Sequence, residues 1–577
     1  MNFTKKLNMS NQILLIGISL ITLVFSSKVY PRHSLPKLVF LILVSFTLLY
    51  LISSELLKGH IKIQKSISVV ITFYLICLTV VVILDDQNFQ TLLLGPSGRY
   101  TGLLANICYI ILFFYIATSQ DSQLLNRIVQ VFYWLGAMLS IYGAIQLFNA
   151  DPIDWNLNDS RILLTLGNSN FSATFISLGA TMTLHQIFTN FKNRYKLFTA
   201  LFVLILQLLL IYNLKTDQGY ALTFIGFYTF ITGFILTHNQ FSKKVKILWL
   251  VQIFMFLSVS TILYYFKHGP FYYILNVSSF VDRIYSWKVG LEIFRDNIFT
   301  GVGLDSFGEW YPQYRTQEII DFRALPLEYY VHNPHNILIN FAVGGGLLLL
   351  VPYLLLIFFI LVRGFKALQL HNNNSQMLVI FSMWIVFQSQ TLISIDNVGI
   401  SSWGWIFAGA LVAQSYPDDQ SKIPKSIDMD KVSLYKEIKV KSLILIVFLI
   451  CAAPVYYAIS YFKVNYDYFQ LTDSYRNPVV SAPTSIQLTG ELIQLDSKIY
   501  QIEIREITLN LLLTYKKYDL ALEVAKRMTV DFPRRVNGWD AVAKIYEFKQ
   551  DYSASKFYRL KTLELDPLNT NFSKLLR

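Results

Sequence analysis

The sequence predicts an all-α polytopic membrane protein that ends in a separate helical domain, and three observations predict it. Apolar residues make up 54% of the chain and charged ones only 15%, with a mean hydropathy of +0.45, too apolar for a soluble protein of this length. Uncharged runs near 20 residues, the length of a bilayer-crossing helix, recur as far as about residue 460. Beyond them the chain turns polar but keeps a helical pattern.

In order, the apolar runs predict about thirteen membrane helices, near 11–29, 36–53, 66–84, 102–118, 128–149, 170–188, 197–213, 219–237, 246–266, 336–362, 376–395, 400–416 and 442–462. The first lacks a small-residue cleavage site and a second follows at once, so it reads as a retained helix. Basic residues of short loops gather on the cytoplasmic side, which sets the orientation. From a cytoplasmic start at Lys5 and Lys6, alternate connections carry Lys58, Lys62 and Lys65, then Arg127, then Lys192, Arg194 and Lys196, then Lys243, Lys244 and Lys246, then Arg363 and Lys366. The last of that series carries Lys422, Lys425, Lys431, Lys436, Lys439 and Lys441. Connections 85–101, 151–170, 216–218, 267–335 and 396–399 then lie outside. The expected organisation is a membrane domain over 1–463, including a large extracytoplasmic loop at 267–335, and an extracytoplasmic helical domain over 464–577. The net charge of +13 follows from the cytoplasmic loops and their contact with anionic lipid, and gives no reason to expect nucleic acid. Cys77, Cys108 and Cys451 all fall in predicted spans, which argues against a disulfide framework or a thiolate metal site.

In the polar tail Asp531-Phe532-Pro533 is echoed by Asp566-Pro567, with the prolines 34 residues apart, as are Tyr518 and Tyr552. That period is the tetratricopeptide length. Trp539, Val542, Ala543 and Tyr546 fit its Trp-x2-Leu-Gly-x2-Tyr word, and Ala521 and Ser555 stand where a small helix-crossing residue belongs. One or two degenerate repeats are expected; an unrelated helical hairpin is the plainer alternative. Two repeats bury little core alone, so the tail is expected to lean on the large loop or on a partner.

The connections read as outside hold the candidate chemistry. Val331-His332-Asn333-Pro334-His335-Asn336 leads the loop back to an apolar run through Gly344-Gly345-Gly346, placing a titratable imidazole at the mouth of a membrane helix. A lone interfacial histidine is more often a capping or solvated residue than a catalyst. Upstream, Asp282-Arg283-Ile284-Tyr285-Ser286-Trp287 opens a short helix running to about Arg295, and Gly301-Val302-Gly303 turns the chain. Earlier loops carry Gly95-Pro96-Ser97-Gly98-Arg99-Tyr100-Thr101-Gly102 and Gly167-Asn168-Ser169-Asn170-Phe171. Arg315 and Arg323 read as solvated loop charges, Gly344 to Gly346 as a site of close helix packing, and the aromatic residues at span ends as an interfacial belt.

In their order and on their common face, these words resemble those of the O-antigen ligase and O-antigen polymerase superfamily, over roughly residues 90 to 400. The resemblance implies transfer of a glycan from a polyprenyl diphosphate carrier to a lipid, glycan or protein acceptor, with inversion at the anomeric carbon, at a bacterial plasma membrane. It implies His335 as the base and Arg283 as a catalytic diphosphate holder, with Arg99, Asn336, Gln218 and Asn168 binding substrate. Spacing selects His335 over His332, since nine residues separate His335-Asn336 from Gly346, and the same count from His332-Asn333 lands on Val343. Two positions depart from the pattern: Ser169 replaces a proline, and Asp217-Gln218-Gly219 replaces Ser-Arg-Gly. Gln218 brings no charge, which leaves one diphosphate contact to Lys215 or Arg99. The residue types suit the chemistry, because guanidinium groups pair with departing phosphate charge and imidazole accepts a hydroxyl proton. No cofactor is expected, and no metal, since no His/Asp/Glu cluster with ligand spacing occurs in these loops. Ligase, polymerase and protein-directed transferase stay open. The rival from another class, a transporter or flippase of lipid-linked sugars, calls for paired ionisable residues at mid-membrane, whereas Lys215, Asp217 and Asp396 fall at span ends.

Overall fold

The computed structural model describes residues 8–574 apart from 60, 62, 97, 120, 122, 154–161, 239, 324–329, 372–373, 417–433, 477–492, 496–497 and 500–501. Lys5, Lys6, Lys62, Ser97, Lys422, Lys425 and Lys431 lie outside the described residues, as do the side chains of Lys436 and Lys439.

Every element among the described residues is helical, and the chain is a multi-pass membrane protein. Eight helices are long and apolar enough to cross a bilayer: α2 (Ser34–Leu57), α3 (Lys65–Ile83), α6 (Leu124–Leu147), α8 (Arg194–Leu214), α9 (Asp217–Thr237), α10 (Lys243–Tyr265), α15 (Ile337–Leu370) and α18 (Leu434–Arg476), whose apolar part is Val440–Thr472. Three shorter apolar helices join them, α1 (Met9–Leu23), α5 (Leu103–Ala117) and α17 (Val398–Ala413). The runs at 170–188 and 376–395 fall on α7 (Ser169–Thr189) and α16 (Ser375–Thr391). α7 is less apolar because it is interior and rich in hydroxyls. Ser177, Thr181 and Thr183 are buried, and each bonds the carbonyl four residues back at 2.7–2.9 Å, so the bundle centre holds no orphaned hydroxyl there. α10 is its opposite: only 6% of its apolar window is buried, with Phe254 and Met255 turned outward as lipid-facing side chains should be.

Short helices stand in the connections: α4 (Phe89–Leu94), α11 (Gly269–Asn276), α12 (Ser278–Asp296), α13 (Phe307–Tyr314) and α14 (Gln317–Arg323). In the tail α19 (Ile502–Thr514), α20 (Tyr518–Asp531), α21 (Val536–Phe548), α22 (Tyr552–Leu565) and α23 (Thr570–Lys574) pack each on the next, around Leu509, Val524, Met528 and Val542. Tyr518 and Tyr552 each begin a helix, and Ala521 and Ser555 are both buried one turn in.

α15 is broken, and the break corrects the expected role of Gly344 to Gly346. Gly346 has φ +57° and ψ −150°, outside helical space. The loop backbone runs into the gap it leaves. Val302 and Gly303 amides donate to the carbonyls of Val343 and Gly344 at 2.8 and 3.1 Å, and the Leu347 and Leu348 amides donate to Ile298 and Phe299 at 2.7 and 3.2 Å. A Cβ on Gly346 would sit 2.4 Å from the Phe299 carbonyl carbon, and one on Gly301 2.4 Å from the Val343 oxygen. These glycines admit a second backbone into a helix break rather than a second helix onto a face.

Candidate functional site

The turn before α15 is fixed by two asparagines. Asn336 caps the helix, its Oδ1 accepting from the Leu338 and Ile339 amides at 2.9 and 3.3 Å, which satisfies donors that have no partner within the helix. Its oxygen is therefore committed to the backbone, which leaves Nδ2 as the atom to meet the substrate expected of it. Asn333 has the positioning role. Held extended by the following Pro334, it accepts from the His335 amide at 2.7 Å. His335 takes a left-handed backbone, φ +56°, unusual for a residue with a Cβ. Its ring is half-buried and makes no hydrogen bond among the described residues.

Three arginines lie near enough for their charges to act on that ring. Arg283 comes from the first half of α12, Arg323 from the end of α14, and Arg99 from the 95–102 loop, where the Gly102 amide donates to the Leu94 carbonyl at 3.2 Å and closes the turn. Arg99 Nη1 donates to the His332 carbonyl at 3.2 Å. Burial pushes the His335 imidazole down to about 3, with the charges of Arg99, Arg283 and Arg323 adding to it. The ring is neutral at pH 7. Burial also lowers the Arg283 pKa, opposed by Asp217 and Asp282, and a guanidinium in that setting keeps its charge.

Arg323 and Arg315 are not the solvated charges expected from the sequence. Arg323 Nε donates to Asp282 at 2.5 Å and Nη2 to Ser286 Oγ at 3.1 Å, and the Tyr311 hydroxyl accepts from Nη1. It thereby clamps α14 onto α12 and engages the carboxylate next to Arg283. Arg315 makes a two-pronged pair with Asp566 of the tail at 2.6 and 3.1 Å, with both side chains nearly sealed from solvent and the Tyr330 hydroxyl donating to the same carboxylate at 3.0 Å. Partners 251 residues apart leave no local mark in a sequence.

The other loops are tied to the same place. Asp85 accepts from the Leu304 amide at 2.9 Å, and Asp305 accepts from Thr101 Oγ1 at 2.8 Å and Asn340 Nδ2 at 2.9 Å. A small cavity of about 30 Å³, enough for a water or two, separates Asp305 from Asp396 and is lined also by Arg99, Asn333 and Asn336. Burial raises both carboxyls, Asp396 to about 7 with the Asp305 charge adding to it. No group of three or more His, Cys, Asp or Glu side chains suited to a metal ion occurs among the described residues.

The remaining sequence candidates sit elsewhere. Asn168 caps α7, with its side chain accepting from the Asn170 amide at 2.8 Å. Gln218 is buried in the first turn of α9, donating to Thr174 Oγ1 at 2.8 Å. Its neighbour Asp217 accepts from Ser279 Oγ of α12 at 3.5 Å, so this end of α9 does abut the helix of Arg283. Lys215 is exposed, and of the two alternatives for the missing arginine only Arg99 bears on His335.

His332 faces the tail. Its Nδ1 lies 3.2 Å from Arg535 Nη1, and Arg535 Nε donates to Glu309 at 3.4 Å. The Arg534 guanidinium lies 3.2 Å from the Trp310 ring centre. Val536 and Phe572 of the tail share one apolar cluster with Val289, Phe307, Tyr311, Tyr330 and Val343, so the tail leans on the large loop.

Residues 162–354 match the family described as O-Antigen ligase. The matched stretch contains Asn168, Gln218, Arg283, His335 and Asn336; Arg99 and the tail lie beyond it. No curated protein matches the chain.

Proposed function

We propose that this chain is a membrane glycosyltransferase that moves a glycan from a polyprenyl diphosphate carrier to an acceptor hydroxyl, in cell-surface polysaccharide synthesis at a bacterial plasma membrane. The observation that carries the reading is the convergence of Arg99, Arg283 and Arg323 on His335 at the mouth of α15, within the stretch that matches the ligase family save for Arg99. In this reading all thirteen apolar helices cross the membrane from a cytoplasmic N-terminus, and the large loop and the tetratricopeptide-like tail lie outside. The acceptor oxygen attacks the anomeric carbon as the bond from that carbon to the diphosphate breaks. The electron pair leaves with the diphosphate, held by Arg283 and Arg99, and the hydroxyl proton passes to His335. Burial and the arginines by themselves keep the imidazole a weak base; a diphosphate beside it offsets their charge and raises its pKa towards the ordinary range. No step calls for a divalent cation, since guanidinium groups take the departing charge. Asn336 and Asn168 serve by shaping helix ends, and Gln218 by bonding α9 to Thr174 of α7.

Mass analysis of surface glycans and carrier lipid in cells lacking the protein tests the reading and selects the branch. Single repeat units left on lipid indicate a polymerase, accumulated long chains a ligase, and unmodified surface protein a protein-directed transferase. Normal glycans on every acceptor with an unchanged lipid pool would contradict it.

A further inference from the structure

A second cleft, of about 540 Å³, opens beside the site. Its size falls in the range of small-ligand pockets, about 300–1000 Å³. One wall is the segment Asp85–Asn88 before α4, a second is the Thr300–Gly303 turn, and the third is Trp310 facing Asp531–Arg534 of the tail. Two words singled out in the sequence thus line it, Gly301-Val302-Gly303 and Asp531-Phe532-Pro533. Its inner end is next to the reacting centre, because Gly303 is followed directly by Leu304, bonded to Asp85, and by Asp305, which faces the cavity of Asn336.

The lining decides what fits. Four carboxylates line it, but Asp531 is paired with Arg505 at 2.6 Å and Glu309 with Arg535 at 3.4 Å, which leaves Asp85 and Asp86 against Arg534, whose guanidinium lies on the Trp310 ring and donates to Gln313 at 3.3 Å. That balance offers a phosphate no unpaired cluster of cations to bind. The lining interleaves polar groups with the few apolar ones, which leaves no continuous bed for a lipid chain. What remains is a neutral molecule rich in hydroxyls. Sugar hydroxyls donate to carboxylate and amide oxygens and accept from amide N–H groups. Gln87 Nε2 is bonded to Asp85 and the Leu304 carbonyl, Asn88 Oδ1 to the Gln90 amide and Asn297 Nδ2 to the Ile293 carbonyl, so Gln87 Oε1, Asn88 Nδ2 and Asn297 Oδ1 are the amide atoms that face a sugar.

We propose that this cleft is a glycan subsite, holding the sugars that extend away from the reacting residue, and that the tail is present to complete it. The proposal rests on the function above only for what the glycan is attached to. The charge pattern separates two tasks along one surface: arginines around His335 for the anionic diphosphate, carboxylates and amides in the cleft for the neutral chain. Donor and acceptor glycans share this chemistry, and the test separates them.

The test starts with binding, on the full chain in lipid nanodiscs, by saturation-transfer NMR with neutral glycans released by mild acid from the lipid-linked pool of the producing membranes. Wild type and His335→Ala are expected to bind alike. Asp86→Trp and Thr300→Trp, which fill the cleft from two exposed walls, are expected to weaken binding at least about tenfold, or about 1.4 kcal/mol. No signal in wild type, or binding that survives both substitutions, overturns the subsite. Transfer kinetics then assign the source. A rise in KM confined to long-glycan donors marks the donor chain, and one confined to long acceptors marks the acceptor, with turnover of single-repeat substrates unchanged. Equal losses with long and short substrates would also overturn the proposal, as distortion of the reacting centre. A wild-type protein that binds glycan but transfers nothing would instead count against the proposed reaction.

Discussion

His332 and His335 stand three residues apart on one turn, and burial with nearby arginines pushes both imidazoles down to about 3, yet the two rings are engaged differently. The His332 ring is bonded to Arg535 of the tail, and its carbonyl takes a hydrogen bond from Arg99. The His335 ring is half-buried among three arginines with its own hydrogen-bonding capacity unused among the described residues, on a backbone that only the Asn333 clasp and the helix cap make tenable. One imidazole is wired into the structure, and the other makes no hydrogen bond among the described residues. Residue type does not separate the two; the partners that each ring has already engaged do.

The largest expected effect comes from removing the open imidazole. His335→Ala should lower turnover roughly 10²–10⁴-fold in transfer from a purified lipid diphosphate glycan, with donor binding largely kept. If His332→Ala were the dead variant instead, the comparison would be inverted. Next, Arg283→Ala should cost roughly 10²-fold or more in turnover, as loss of one charge-stabilising donor does elsewhere. Arg283→Lys should recover only part of that, because an ammonium lacks the forked geometry. Full rescue by lysine would mean that bulk charge, not paired hydrogen bonding, holds the diphosphate.

The wired side of the comparison predicts a loss of structure rather than of chemistry. Asp566→Ala leaves Arg315 buried without its carboxylate, which costs about 3–5 kcal/mol for a pair this enclosed. Limited proteolysis should then cut between the large loop and the tail, where wild type resists. An unchanged pattern would show that Val536, Phe572 and their apolar neighbours carry the docking alone. His332→Ala should stay within about tenfold of wild-type turnover, since it removes one hydrogen bond at the edge of that contact. The smallest effect is on pH. The His335 pKa is lower folded than unfolded, so its contribution to stability is complete above the ordinary 6.5 and is lost as pH falls from there towards about 3. Thermal unfolding of His335→Gln should therefore lose less stability than wild type between pH 7 and pH 5; an equal loss would remove the burial argument.

Much of this was legible in the chain and some could not be. Helix positions followed from apolar runs because the bilayer fixes both length and composition. α7 and α16 were legible for the same reason, although α7 reaches its interior place with hydroxyls bonded to its own backbone. His335 and Arg283 lay in short contiguous words. Asn333 carries a local signal, an asparagine before proline, that points to a turn. Arg315, Arg323 and Arg535 had none, since a charge in a loop looks the same in sequence whether it meets water or a carboxylate from a distant segment. The glycines of α15 show the same limit: their spacing announced a close approach, but only the fold reveals that the visitor is the backbone of Ile298–Gly303.

The central claim is that the open imidazole and its arginines serve transfer rather than transport. The most direct measurement incubates purified wild-type protein with lipid diphosphate glycan and an acceptor fraction in proteoliposomes, with chelator present, and counts products. The account predicts glycosylated acceptor and free polyprenyl diphosphate in equal amounts, undiminished by the chelator. Donor that crosses the bilayer intact, with no diphosphate released, would contradict it.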